Sequence, residues 1–323
     1  MASLLKTLLL GASIALTGAG AHADNSTPVR LIVGFPPGGA LDNLARSLAE
    51  DLRTALGESV LVENRPGASS RISIEAVKAS RPDGRTILLA STPPFVLFPM
   101  TYARLNYDAE KDFIPIAHLA YVPSVISAGA NQPFKTIPEY VAWLKKNPGG
   151  GSMGLTNLGG GLHFSVLQLS KAIGVPLAPV TYRGGAPLAT DIVGAHVPVG
   201  TDALASQLEL HRAGKLRILG VAGTRRVSWL PDIPTIKESG YDAFDRANAS
   251  YAAFVPAGTP KEMVAKLEAA FVAAMRKPQV RAQVDRMGLE PTGLPGAETK
   301  RIMDEDRAYW RPIVKASGFK SED

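Results

Sequence analysis

The sequence predicts an α/β protein of two doubly wound domains around a ligand cleft, and three observations carry that expectation. Apolar runs of strand length alternate with amphipathic stretches at helical spacing along most of the chain. The alternation starts afresh near Ile137, after apolar runs at Ile114 to Val122 and Val125 to Ala128 that carry the chain out of the first sheet. Each half also has a helix that begins at a glycine-rich turn, at Gly38-Gly39 and at Gly159-Gly160-Gly161. In open sheets, ligands sit beyond the carboxyl ends of the strands, so both turns are expected to face one cleft.

Val29 to Val33 reads as one buried parallel strand. Leu41, Leu44, Ala45, Leu48, Leu52, Ala55 and Leu56 then recur at helical spacing, and Gly57 stands where a C-terminal cap belongs. Between them lies the turn Gly34-Phe35-Pro36-Pro37-Gly38-Gly39-Ala40. Its glycines lack the Cβ atoms that keep a ligand off the backbone, and the helix start presents N–H groups without partners. Those donors and the positive end of the helix dipole suit a carboxylate or a phosphate. The competing reading is a turn that starts a helix and binds nothing. Asp42 either caps the helix or accepts a ligand's ammonium, and its residue type at a helix start favours the cap.

Val60 to Val62 predicts the second strand, and Glu63-Asn64-Arg65-Pro66-Gly67-Ala68-Ser69-Ser70 a loop. A helix follows with Ile72, Ala76 and Val77 inward, ended by Pro82-Asp83-Gly84. Thr86 to Ala90 is the third strand and stops at Ser91-Thr92-Pro93-Pro94. The alternation of strands and helices implies parallel pairing. In the second half a helix runs from Ile137 to about Lys146, followed by the strand Ser152 to Thr156. After the second turn comes a helix with Phe164, Leu167 and Ile173 as core. Then come the strand Val180 to Tyr182, a helix entered through Arg183-Gly184-Gly185-Ala186-Pro187, and the strand Val197 to Thr201, with Asp202 at its end. Leu216 to Ala222 closes this half. Tyr251 to Val255 returns apolar, and Pro260 to Met275 and Glu298 to Val314 read as long amphipathic helices.

Composition narrows the function. Residues 1–23 read as a secretory signal: Lys6 is the basic start, Leu8 to Ala19 the apolar core, and Ala21-His22-Ala23 the cleavage pattern. An uncleaved membrane anchor would need a longer apolar run, of about 20 residues. The mature chain is then expected to begin near Asp24, and export of a chain of this composition is compatible with a bacterial periplasm. There is no cysteine, which excludes disulfides, thiolate metal sites and cysteine nucleophiles. The formal charge of +6 is spread along the chain without a basic block, so nucleic acid is not an expected partner.

Catalytic motifs fail on context. Gly150-Gly151-Ser152-Met153-Gly154 matches the spacing of a hydrolase nucleophile elbow, but that elbow needs a strand before the serine and a helix after it. Here a helix and a Pro-Gly loop come first and a strand follows. His118, His163, His196 and His211 are isolated, without metal-ligand spacing. His163 follows the second glycine turn and either donates to a ligand or makes a structural hydrogen bond. Ser91 and Thr92 end a strand, where their hydroxyls either cap or face the cleft. Asp202 either meets a ligand or pairs with a nearby arginine.

The ordered set of segments resembles the Bug, or tripartite-tricarboxylate-transporter receptor, family of periplasmic solute-binding proteins. It runs through Phe35-Pro36-Pro37-Gly38-Gly39 with Asp42, Val62-Glu63-Asn64-Arg65-Pro66-Gly67-Ala68, and Pro82-Asp83-Gly84. It continues with Tyr107-Asp108, Lys111-Asp112-Phe113, Tyr182-Arg183-Gly184-Gly185-Ala186-Pro187, Ala213-Gly214-Lys215-Leu216-Arg217, Leu230-Pro231-Asp232-Ile233-Pro234-Thr235 and Pro256-Ala257-Gly258-Thr259-Pro260. The resemblance implies a fold like that of type II periplasmic binding proteins, with residues 24–122 and 254–323 in one domain and 123–253 in the other. It implies a non-catalytic receptor without cofactor or metal that closes on a small organic carboxylate. One carboxylate would meet the backbone of Pro37, Gly38, Gly39 and Ala40, beside Phe35, and that of Gly160, Gly161, Leu162 and His163. Ser91, Thr92, Tyr182 and Asp202 match cleft-lining positions of the family.

The chain departs from the family's usual pattern at Ser69, Ser70 and Arg71, at Ser73, at Gly160 to Leu162, and at Pro198. The grip on a shared carboxylate is expected to persist while contacts to the rest of the ligand change. Arg71 would supply a bidentate partner for a di- or tricarboxylate, unless it is simply a solvated surface residue. Asp42 or Asp202 would meet the ammonium of an amino-acid-like ligand, and Pro93, Pro94, Phe95 and Leu162 would suit an aromatic acid. A monomer is the default, with a membrane transporter or a sensor kinase as the protein partner. The rival readings are an exported enzyme acting on a small acid and a protein-interaction module without a transport role. The enzyme would need a convergent acid, base and nucleophile, which the sequence does not display.

Overall fold

The computed structural model describes residues 27–321, so the expected export signal at residues 1–23 lies outside the described residues. The first sheet begins with β1 (Val29–Val33), β2 (Val60–Asn64) and β3 (Thr86–Ser91). Helix α1 (Ala40–Leu56) joins β1 to β2, burying Leu41, Leu44, Leu48 and Leu52 along one stripe, and Gly57 ends it at φ 72°. Each of those leucines contributes roughly 2 kcal/mol of burial energy, so the stripe rather than propensity holds the helix. Helix α2 (Arg71–Lys78) joins β2 to β3, and the short helices α3 (Pro93–Val96) and α4 (Phe98–Thr101) follow. The chain then runs along β4 (Phe113–Val122) and crosses at Pro123 into β5 (Ser124–Gly129) of the second sheet.

That sheet is completed by α5 (Ile137–Lys146), β6 (Ser152–Leu155), α6 (Gly161–Ile173), β7 (Ala178–Thr181), α7 (Gly185–Val193), β8 (Val199–Ala203), α8 (Leu208–Arg212) and β9 (Leu216–Val221). Helix α5 starts as its sequence demands: Thr136 Oγ1 accepts from the Glu139 N–H at 3.3 Å, and Glu139 accepts in return from the Lys135 N–H at 2.6 Å. The chain returns through β10 (Ala249–Pro256), α9 (Lys261–Arg276), α10 (Pro278–Arg286), β11 (Glu290–Pro295) and α11 (Gly296–Ser317).

The strand order is β11-β4-β10-β3-β1-β2 in the first sheet and β7-β6-β8-β5-β9 in the second. Parallel pairing holds for β1 with β2 and β3, and for β6 with β7 and β8. The rest is antiparallel, against the expectation from simple alternation: β10 with β3 and β4, β11 with β4, and β5 with β8 and β9. The cause is connectivity. Strands that carry the chain between sheets have no crossover helix to reverse them, so they enter their neighbours head to tail.

Apolar clusters cover both faces of each sheet. One of them crosses from sheet to sheet: Phe164 of α6 packs with Trp310 of α11, ring centroids 6.2 Å apart. The bridge between the crossings is polar. Asn248 Oδ1 accepts from the Ser124 N–H at 2.8 Å and its Nδ2 donates to the Ala222 carbonyl at 3.1 Å.

Two local expectations are corrected. Ile72 is 51% exposed, and Ser73, Ile74 and Val77 form the buried face of α2. A Cβ on Gly34 would lie 2.6 Å from Ser70 Cβ and Ser73 Oγ, so this small-residue contact sets the rotation of α2 and turns Ile72 outward. Phe95 does not reach the cleft; it is buried and stacked on Phe254 at 4.2 Å.

Candidate functional site

The first glycine turn is braced from within. Gly38 is left-handed at φ 82°, and Gly39 takes the extended N-cap conformation of α1. The Gly38 N–H donates to Asp42 Oδ2 at 2.8 Å. The same oxygen accepts from Arg46 Nε at 3.0 Å, and Oδ1 accepts from Asn64 Nδ2 at 2.9 Å. Asp42 is 1% exposed. Burial alone would push its carboxyl up, but the bonds from Arg46, Gly38 and Asn64 outweigh it and hold the group below the usual carboxylate range. Asp42 is thus committed to the turn. The N–H groups of Ala40 and Leu41, in the first turn of α1, have no intrahelical partner by position.

The second turn repeats this construction. Gly159 is left-handed at φ 74°, Gly160 is the extended N-cap of α6, and the Gly159 N–H donates to His163 Nδ1 at 3.3 Å. His163 is buried and its pKa is lowered by burial, so the ring is neutral with its proton assigned to Nε2 by that hydrogen bond. Phe319 meets the imidazole edge-on at 5.0 Å. Leu162 is half-buried, and a Cβ on Gly161 would lie 3.3 Å from the Trp310 ring and 3.4 Å from the Ala247 carbonyl, a tight fit.

A cavity of about 410 Å³ opens at the carboxyl ends of β1, β2, β3 and β6. The first-sheet wall is Gly34, Phe35, Pro36, Pro66, Gly67, Ser69, Ser70, Ser91, Pro93, Pro94 and Phe98; the second-sheet wall is Thr156 and Asn157. Phe35 packs edge-on against Tyr251, whose phenol is pushed up to about 12 by burial and by the charge of Asp202. Asp202 in turn accepts from Thr156 Oγ1 and from Ser206 Oγ, each at 2.7 Å. The wall residue Thr156 is therefore held by the strand end that carries Asp202.

Among the sequence candidates, Phe35, Ser91, Pro93 and Pro94 line this cavity. Pro37, Gly38, Gly39 and Ala40 continue directly from the lining residue Pro36. Gly160, Gly161, Leu162 and His163 follow Asn157 by a few positions and form no part of the cavity wall itself. The others face elsewhere. Thr92 Oγ1 accepts from the Ser250 N–H at 3.1 Å, and Tyr182 donates its hydroxyl to Asp191 at 2.9 Å. Arg71 Nε donates to the Ala68 carbonyl at 3.1 Å, and its guanidinium stacks 4.7 Å from the Tyr102 ring centre. Pro66, Ser69, Phe98, Thr156 and Asn157 were not singled out as wall residues by sequence reasoning. The strand-end rule that pointed to Ser91 applies equally to Thr156 and Asn157.

The loop that carries Ser69 is strained. Ala68, Ser69 and Ser70 have φ of 45°, 53° and 73°, a left-handed run that residues with a Cβ ordinarily avoid. Ser70 Oγ donates to the Gly34 carbonyl at 3.2 Å and Ser73 Oγ to the Ser70 carbonyl at 2.7 Å, which hold the run in place. Among the described residues no group of three or more histidine, aspartate or glutamate side chains is placed to hold a metal, and no helix is long and apolar enough to cross a membrane.

Comparison with known proteins agrees with this fold. The chain is 32% identical over 327 residues to a UPF0065 protein of Bordetella bronchiseptica, covering 98% of this chain and 94% of that one. The periplasmic binding protein BugD superposes with a TM-score of 0.76 at 32% identity, over 91% of this chain and 98% of that one. Rpa4515 of Rhodopseudomonas palustris, solved with adipate, gives 0.80 at 28% identity, over 91% and 98%. MatC of the same organism, solved with bound malate, gives 0.74 at 26%, over 89% and 98%. Residues 44–319 match the family described as the tripartite tricarboxylate transporter family receptor. This chain belongs to that receptor family.

Proposed function

We propose that this protein is a periplasmic receptor that captures a small organic carboxylate by closing its two sheets on it, and that it hands the ligand to a membrane transporter or presents it to a sensor. The observation that carries this reading is the pair of matching glycine turns, each opening a helix whose first N–H groups have no partner, beside one cavity at the strand ends. Relatives of the same fold solved with adipate and malate support a carboxylate as the ligand class. Binding without turnover is supported by the titratable groups near the cleft. Asp42, His163 and Asp202 are all engaged in structural hydrogen bonds, which leaves no free acid–base pair among them. Closure would turn on the crossings at Pro123 and at Asn248, and the protein would act as a monomer.

The test is native mass spectrometry of the exported, mature protein together with a thermal-shift screen of small carboxylic acids. A true ligand at a hundredfold excess over Kd adds about 2.7 kcal/mol of apparent stability. That shift should vanish in Gly39→Leu. The residue has ordinary backbone angles and only Pro36 nearby, so the variant folds while its side chain screens the helix start. A screen in which no acid moves the melting temperature and nothing co-purifies would overturn the receptor reading. Chemical conversion of a bound acid would favour the enzyme.

A further inference from the structure

The wall of the cavity at the strand ends carries no charged side chain. We infer that the ligand's far end is uncharged: the protein takes a flat monocarboxylic acid, aromatic or alicyclic, whose far end bears neutral hydrogen-bonding groups. This rests on the receptor reading above and names the substrate class of the same site.

The argument is one of charge matching. A second carboxylate moved from water into a protein cleft loses hydration worth several kcal/mol unless a cation or several donors replace it. The nearby arginines are already engaged. Arg71 lies on the Tyr102 ring, Arg46 serves Asp42 and Asn64, and Arg65 reaches Glu63 at 3.5 Å. The flat faces available are those of Phe35, Phe98 and the prolines at 36, 66, 93 and 94. They match a ring or a planar skeleton better than a flexible, doubly charged chain.

The polar groups on that wall are neutral, and they divide into two kinds. Ser70 Oγ and Thr156 Oγ1 have committed their protons to the Gly34 carbonyl and to Asp202, so toward a ligand they can only accept. Ser69, Ser91 and Asn157 line the same cavity, and their side chains make no hydrogen bond among the described residues. Such groups recognise a hydroxyl or a primary amide, each of which can give and take a hydrogen bond, or a ring nitrogen that does one of the two. The left-handed run at residues 68–70 keeps Ser69 on this wall at a conformational cost, and strain of this kind gathers at binding sites. The cation closest to overturning the assignment is Arg183, exposed just beyond the carboxyl end of the edge strand β7 and outside the cavity wall.

The test compares 4-carbamoylbenzoate with terephthalate, which share a ring and one carboxylate and differ in the charge of the far group. Adipate and malate serve as flexible dicarboxylate probes. Calorimetry on the mature protein should show 4-carbamoylbenzoate binding about tenfold or more tightly than terephthalate, and Arg183→Ala should leave that ratio unchanged. Ser69→Ala should weaken the amide by about fivefold, the loss of one neutral hydrogen bond, without lowering the melting temperature of the ligand-free protein. Asn157→Arg should reverse the preference toward terephthalate. Equal or tighter binding of terephthalate, adipate or malate to the parent protein, or a dicarboxylate affinity that disappears in Arg183→Ala, would overturn this inference and leave the receptor reading standing. If none of the four acids binds, this inference falls, and the wider carboxylate screen with native mass spectrometry decides the receptor reading separately.

Discussion

The Gly38 N–H and the Asp42 carboxylate form the brace of the first turn, and the Gly159 N–H and the His163 imidazole form its counterpart in the second. In both, a left-handed glycine donates to a side chain four residues on, across an extended glycine that caps the helix. One brace is anionic and the other neutral, so the two turns are alike in shape and unlike in charge.

Removing the first brace should cost stability as well as binding. Asp42→Ala leaves the Gly38 N–H and one of the two Asn64 amide hydrogens without an acceptor, so a loss of about 2–3 kcal/mol is expected in urea unfolding. The carboxyl's folded pKa is held below its unfolded value of about 3.9. Its contribution is therefore present above that pH and is lost as pH falls through the folded value. Asp42→Asn should show a shallower acid limb than the parent.

The two glycines should differ in their tolerance of a methyl group. At Gly38 a Cβ meets nothing within 4 Å, so Gly38→Ala pays only for its left-handed backbone, about 1 kcal/mol. At Gly159 the same Cβ would also lie 2.8 Å from the Phe319 ring, which packs on His163. Gly159→Ala should be measurably worse by the same unfolding assay, and Gly38→Asn better than Gly38→Ala.

The run at residues 68–70 predicts a stabilising substitution. Ala68→Gly relieves about 1–2 kcal/mol of left-handed strain and costs about 0.4–1 kcal/mol in unfolded-state entropy. A net gain of about 0.5–1 kcal/mol is expected. A loss would show that the run is not strained.

His118 predicts an acid-sensitive fold. It is fully buried, with Nδ1 2.7 Å from Thr292 Oγ1, and burial pushes its pKa down to about 4. The unfolded chain binds that proton near pH 6.5. Stability is thus intact above about pH 6.5 and falls through the window down to about pH 4, by about 3 kcal/mol. His163, also lowered by burial, acts in the same direction. The stability difference between about pH 7 and about pH 4 should shrink in His118→Gln relative to the parent.

Elements governed by local rules could be read in the sequence. The leucine stripe of α1, the Thr136 cap of α5 and the glycine turns all stand where periodicity and capping put them. Non-local contacts could not be read. The strand β11 carries two prolines and a glycine, and it exists because it pairs with β4. The outward turn of Ile72 is set by Gly34, far away in the sequence, and the left-handed run at residues 68–70 contradicts the preferences of its own residues. Around the cavity, Phe35, Ser91, Pro93 and Pro94 were legible as wall positions, whereas Gly160 to His163 form no part of that wall. Arg71 turns to the Tyr102 ring and the Ala68 carbonyl, and no pattern around residue 71 announces that ring.

The position of β10 constrains how the chain can acquire its shape. It lies between β3 and β4 in the first sheet, yet it is made only after the whole second sheet has been threaded. Until residues 249–256 arrive, the β3-β1-β2 ribbon and the lone β4 have open facing edges and no partner to join them. The second sheet, continuous from residue 124 to residue 221, has no such dependence. Folding should therefore proceed from the middle of the chain outward, with the N-terminal third waiting on the C-terminal third, a long-range pairing that slows the final step.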